Sequence, residues 1–228
     1  MEKASQERWN LLYTPQFQFQ HFAVTREMTV TGNGEIVAQP DYVQIQIEVR
    51  TEGENISEVQ QENARIMTHV IESIIALNIP RESIQTTVYT ISPQYDFIEG
   101  RQVFRGYVVQ NAITVKITDI GQAGTVIDTA IQNGANSVSS IQFELENSDS
   151  YYQQALNLAL VNAMGKAKSM ADMMQVPIQL IPFEIIEQSE NMMPVPYRSV
   201  QMTKQEFITP IEEGQIPIKA SVQVKFRY

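Results

Sequence analysis

The sequence predicts an α+β fold, largely antiparallel sheet with three main helices, in the order ββαββαβαββ. Two observations carry this. Seven segments alternate apolar and polar residues with a period of two, and only three repeat their apolar residues at helical spacing. Strands that follow one another directly, with too few helices to alternate with each of them, favour antiparallel pairing over continuous βαβ units.

Val43, Ile45, Ile47 and Val49 alternate with Gln44, Gln46, Glu48 and Arg50, which marks a strand with one wet face. The preceding strand, about Met28 to Val37, is joined to it through Ala38, Gln39, Pro40 and Asp41, and this short link predicts an antiparallel hairpin. Asn55 with Glu58, or Ser57 with Gln60, can cap a helix running to about Leu77. Its apolar side is Val59, Ile66, Met67, Val70, Ile74 and Leu77. Strands at about 84–94 and 103–117 follow, around a turn holding Glu99, Gly100 and Arg101.

Asp119 can cap a second helix with Ile120, Ala123, Ile127, Ala130 and Ile131 inward, ended by Gly134. Ile141, Phe143 and Leu145 mark the next strand. The third helix, about Ser150 to Gln175, is expected to bury Tyr152, Leu156, Ala159, Leu160, Ala163, Ala167, Met170 and Met174, its alanines letting the axis sit close to a neighbour. Strands around 178–186 and 216–226 close the chain. Between them, residues 189–215 carry Pro194, Pro196 and Pro210 and are expected to form an extended excursion. Residues 1–27 read as an aromatic arm, and 28–228 as one domain.

The chain has 228 residues, no cysteine and a net charge of -10. Disulfides, thiolate metal sites and cysteine nucleophiles are excluded, and the charge argues against nucleic acid as a partner. No stretch approaches 18 uninterrupted apolar residues, so no transmembrane segment is predicted. The N-terminus lacks the apolar core of an export signal. The chain as given therefore reads as cytoplasmic, and as periplasmic or cell-surface if such a signal has been removed.

Chemistry-bearing residues are sparse. Gly32-Asn33-Gly34 lacks a third glycine and precedes a strand, so close backbone packing or a bulge suits it better than a phosphate cradle. His69, with Glu72 and Ser73 nearby, lies on the wet side of its helix, and His21 sits far away in the arm. Glu212, Glu213 and Asp149 read as solvated acids or a helix cap, and of the methionines at 164, 170, 173 and 174, Met170 and Met174 fall on the buried stripe as gap-fillers. No catalytic residue, cofactor or metal is predicted, and the chain is expected not to be an enzyme.

Large apolar residues without a home are more informative. Leu158, Val161 and Met173 fall outside the third helix's stripe, and Trp9, Tyr13, Phe17, Phe19 and Phe22 crowd an arm too short for a core of its own. Together they form a candidate interface, made either by docking on the same chain or by contact between copies of it.

Several short motifs recur in a recognisable order: Thr31-Gly32-Asn33-Gly34-Glu35 with Pro40-Asp41, Ile91-Ser92-Pro93-Gln94-Tyr95 and Gly106-Tyr107. Asp119, Gly124, Asp128 and Gly134-Ala135 follow, then the ladder Ala155, Ala159, Ala163, Ala167, and finally Pro210-Ile211 with Gly214. Over residues 28 to 228 this resembles the SIMPL family. The resemblance implies an α+β domain that in some bacterial members builds ring-like or channel-like homo-oligomers, and a link to oxidative-stress tolerance. Its animal members look like adaptors, which implies the alternative of a protein-binding module acting through an edge strand or the 189–215 loop. It implies no catalytic residue.

Overall fold

In a computed structural model of the chain, residues 26–188 and 209–228 are described. The elements are β1 (Glu27–Ala38), β2 (Tyr42–Gly53), α1 (Ile56–Ile75), β3 (Ile84–Ile98), β4 (Arg101–Ile117), α2 (Ala123–Gln132), β5 (Ser137–Glu144), α3 (Ser148–Met174), β6 (Gln179–Gln188) and β7 (Ile216–Arg227), with short 3-10 turns before β3 and α2. The α+β class and the element order follow the sequence. All strand pairs are antiparallel, in a four-stranded sheet β3-β4-β2-β5 and a three-stranded sheet β1-β7-β6.

The four-stranded sheet buries Val43, Ile45, Ile47 and Val49 of β2 with Ile113, Val115 and Ile117 of β4 beneath α1 and α2. Asn55 caps α1 by accepting from the Ser57 amide at 3.0 Å, while its own amide group donates to Glu58 at 3.2 Å. Val59, Met67, Val70 and Ile74 are buried as expected. Asn63 is buried among them, and its Nδ2 donates to the carbonyls of Val49 at 3.0 Å and Val109 at 3.3 Å, bonding α1 to both central strands. In α2 the expected inward set fails at Ile131, which is half exposed because it lies at the helix end beyond the sheet's cover.

The hairpin expected between β1 and β2 does not form. β1 pairs with β7 from Glu27↔Arg227 to Ala38↔Ile216, whereas β2 lies between β4 and β5 in the other sheet. The cause is on the inward face of β1, where Met28, Val30, Gly32 and Gly34 meet α3. A Cβ placed on Gly32 would stand 2.0 Å from the Ala159 carbonyl oxygen, and one on Gly34 2.0 Å from that of Ala155. Helix and strand backbones therefore touch, as the alternative of close packing at these glycines anticipated.

α3 buries Ala155, Ala159, Ala163, Ala167 and Ala171. Tyr152, Leu156 and Leu160 flank this ladder, but Met170 and Met174, expected to be buried, are each nearly half exposed. Contact this close admits only methyl side chains, so the bulkier thioethers are displaced to the rim.

The links between the sheets hold each other. The Asp41 amide donates to the Glu144 carbonyl and the Glu146 amide to the Asp41 carboxylate, both at 2.9 Å. Beside them the Tyr42 hydroxyl donates to Glu144 at 2.5 Å, and Lys116 lies over the Tyr42 ring while pairing with Glu146. The hydrogen bond to Glu144 is the main cause, followed by partial burial and the charges of Glu144, Glu146 and Asp41, that pushes the Tyr42 phenol up to about 12. After residues 189–208, Thr209 donates to Asp128 of α2 through amide and hydroxyl, at 3.0 and 2.5 Å, and Ile211 packs on the four-stranded core before the chain enters β7.

Two predictions follow from this packing. Gly32→Val should destabilise the protein by about 3 kcal/mol, whereas Gly165→Ala, where an added Cβ meets nothing within 4 Å, should stabilise it by about 0.5–1 kcal/mol in chemical denaturation. The raised Tyr42 pKa means that its contribution to stability is complete below the unfolded value near 10 and disappears as pH climbs through about 12. Ultraviolet titration should show a late phenol step at about 12 that Tyr42→Phe removes, while Tyr152, also raised by donating to Glu187, keeps its own delayed titration.

Candidate functional site

The residues that sequence reasoning examined for catalysis are not brought together. His69 and Glu72 lie on the outer face of α1, where Glu62 and Arg65 form a bidentate pair at 2.6 and 2.8 Å. That pair explains the lowered Glu62 carboxyl, since the guanidinium hydrogen-bonds its charged form. Ser73 spends its hydroxyl on the Val70 carbonyl of its own helix, at 2.7 Å. Asp149 sits in the first turn of α3, and Glu212 and Glu213 are exposed between Thr209 and β7. Among the described residues, no group of three His, Asp or Glu side chains is placed to hold a metal ion.

What the structure does assemble is apolar surface. Leu158, Val161 and Met173 stand outside the alanine face, and Val161 and Met173 are 66% and 85% exposed. Their expected partners Trp9, Tyr13, Phe17, Phe19 and Phe22 lie outside the described residues. On the β1 side of α3, Val161, Asn162, Gly165, Lys166, Ser169 and Met170 form a trough with Val30 and Thr31. Its rim is fixed by polar bonds: Lys166 donates to the Thr31 carbonyl at 2.8 Å, and the Asn33 amide donates to Asn162 at 3.2 Å.

A second surface was missed in the sequence. β3 and β4 pair with each other as far as Ile98↔Arg101, but β4 pairs with β2 only from Tyr107 onward, so the hairpin's outer part stands clear of the sheet. Its two-residue turn, Glu99 and Gly100, has positive φ at both positions (50° and 77°), the twist that suits a tight hairpin and that glycine adopts without strain. Phe97, Ile98, Val103, Tyr95 and Phe104 are exposed along it, and Phe97 reaches 75%. Tyr95, Phe104 and Tyr107 stack edge to face at 5.8 and 5.2 Å. Arg105 ties the base by pairing with Glu52 at 2.9 Å and Asp96 at 3.8 Å.

The signal was present in Tyr95 and Phe97, which fell between the expected strands, and in Val103 and Phe104 at the start of the second. Nothing in that pattern shows that β2 ends its pairing at Gly53. β6 is a third such surface: an edge strand exposing Ile181, Phe183, Ile185 and Ile186.

No described helix is long and apolar enough to cross a membrane. The chain is 26% identical to the 26 kDa periplasmic immunogenic protein of Brucella melitensis over 227 residues, covering 92% of this chain and 90% of that one. The same protein of Brucella abortus matches equally. The uncharacterized protein YggE of Escherichia coli is 23% identical over 147 residues, covering 64% of this chain and 59% of its own length.

The cytoplasmic expectation is overturned by the Brucella relatives, whose name places them in the periplasm. A cleavable export segment leaves no trace in the folded domain, so composition of the N-terminus is a poor guide to compartment. The family model named SIMPL, a protein of unknown function (DUF541), matches residues 28–226, which span both sheets and both cores. The chain belongs to the SIMPL family.

Proposed function

We propose that this chain is a non-catalytic SIMPL protein that assembles with copies of itself in the periplasm, in a structural role within oxidative-stress tolerance. The observation that carries the assembly reading is the amount of large apolar side chain left outside both cores, on α3, on the outer β3–β4 hairpin and on β6. A two-stranded ribbon standing alone is marginal in water, and an aromatic face on such a ribbon is stabilised by covering it. Burying Phe97, Ile98 and Phe104 against a neighbour contributes about 1.5–3 kcal/mol each before the costs of association.

In this reading residues 1–27 act as an arm of the 28–228 domain. Trp9, Tyr13, Phe17, Phe19 and Phe22 join Leu158, Val161 and Met173 in one composite contact surface. The scattered polar groups support a role without chemistry, since no nucleophile, base and orienter converge among the described residues. The stress role rests on the family resemblance and the compartment on the names of the Brucella relatives.

A second reading is favoured by β6, an apolar edge strand that leads directly into residues 189–208: an adaptor that receives a partner's extended segment along this edge. Solution mass separates the two. Light scattering of the full-length chain at micromolar concentration should give a multiple of 25.9 kDa, and Phe97→Ser with Phe104→Ser should reduce it while circular dichroism stays unchanged. A monomer at that concentration sinks the assembly reading and leaves the adaptor. Turnover of any substrate that disappears with a single polar substitution would overturn the non-catalytic part.

A further inference from the structure

We infer that a single water molecule is bound beneath α1, held between the side-chain oxygens of Asn63 and Asn111. Each residue interrupts an apolar pattern. On α1 the buried positions run Val59, Asn63, Met67, Val70 and Ile74, so Asn63 stands where the spacing calls for an apolar side chain. On the inner face of β4, Asn111 stands between the buried Val109 and Ile113 in the same way.

The two interruptions face each other. Asn63 donates through Nδ2 to the carbonyls of Val49 and Val109, at 3.0 and 3.3 Å. Val49 is paired with Asn111 across the β2–β4 ladder, and Val109 precedes Asn111 by two on the same strand face. Side chains directly opposite in such a ladder lie about 4.5–5.5 Å apart at Cβ, and next-but-one neighbours on one strand about 6.5 Å. The end of the Asn63 side chain is thus brought against the backbone on two sides of Asn111, a range that one water spans.

Both Oδ1 atoms are buried, and no donor among the described residues reaches either of them. Asn63 does not relieve this by turning its carboxamide over, because its oxygen would then meet the carbonyls of Val49 and Val109, which need a donor. The nearby Thr51 hydroxyl is also spent. It accepts from Asn63 at 3.3 Å and gives its own proton to the Val59 carbonyl at 3.1 Å.

The unmet hydrogen bonds select the ligand. Two acceptors call for a small molecule with two protons to give, and water donates one to each. A cation does not suit the place. Both oxygens are neutral, and the inner positions of β2 and β4 carry no carboxylate to offset a buried charge. The bound water adds a second link from α1 to β4 beside the bond from Asn63 to Val109, and it completes a polar patch inside an otherwise apolar core.

This inference is independent of the assembly reading, since the site lies under α1 within one chain, apart from α3, the outer hairpin and β6. Oxygen-17 relaxation dispersion of water, measured on the full-length protein, counts long-lived internal waters. Asn111→Leu, close to asparagine in size but without the acceptor, should lower that count by about one, with Asn111→Val as the second variant should leucine not fold. Gln44→Leu, on the outer face of β2, should leave the count unchanged, and circular dichroism establishes that each variant is folded.

In the unsubstituted protein, cross-relaxation between water and the Asn63 carboxamide protons should carry the sign of a long-lived water, a readout that requires no variant. An unchanged count in a folded Asn111 variant, or the lack of that cross-relaxation, would overturn the inference and leave the two carboxamides bonded directly to each other.

Discussion

The architecture depends on the backbone contact between β1 and α3, where Gly32 and Gly34 admit the helix at Ala155, Ala159 and Ala163. No other residue type fits those strand positions without moving the helix. Because α3 must lie on β1, that strand is committed to the small-residue core and unavailable to the sheet of β2, although β2 follows after only Gln39, Pro40 and Asp41. β1 needs a partner with an inward face of its own. β7 supplies it through Ile218, Ala220, Val222, Val224 and Phe226, all buried. One tight contact thus decides which strands pair across nearly the whole chain.

The same contact explains why so much apolar surface remains outside. A helix that packs through methyl groups sits close but covers a narrow strip, so Leu158, Val161 and Met173 gain nothing from the core beneath. Dispersion across the short separation replaces the burial that larger side chains would give. The outer face is then free to hold residues selected for another contact. Each copy brings a charge of -10, so association must place apolar patches together while keeping acidic faces apart, and salt favours it by screening the repulsion.

Strand and helix positions were legible wherever one face is buried by large side chains, as in β2, β7 and α1. α3 was located correctly but its buried face was rotated, because hydropathy ranks methionine with the core while close packing ranks alanine there. The β1–β2 error has a related origin: chain adjacency suggests a hairpin, and alternation within a strand does not say which sheet it joins. Gly32-Asn33-Gly34 and the alanine ladder were both seen, yet only coordinates show that they face each other. Of the candidate interface, Leu158, Val161 and Met173 were readable as outliers of a helical stripe. The outer hairpin was not, since a strand leaving its sheet keeps the alternation it had inside.

β7 stands last in the chain and central in its sheet, between β1 and β6. Neither neighbour pairs with the other, so the three-stranded layer does not exist until the final residues are in place. The four-stranded sheet closes within residues 42–144 through short connections, whereas Glu27 must find Arg227 from the far end of the described chain. Loop-closure entropy makes the second layer the costly one to form, and α3 is bound to it rather than to the first. The clasp of Asp41 with Glu144 and Glu146, and the tie of Thr209 to Asp128, shorten the search by fixing both approaches to that layer on the sheet already closed. The apolar trough beside β1 is built from that strand and α3, so it comes into being with this second layer.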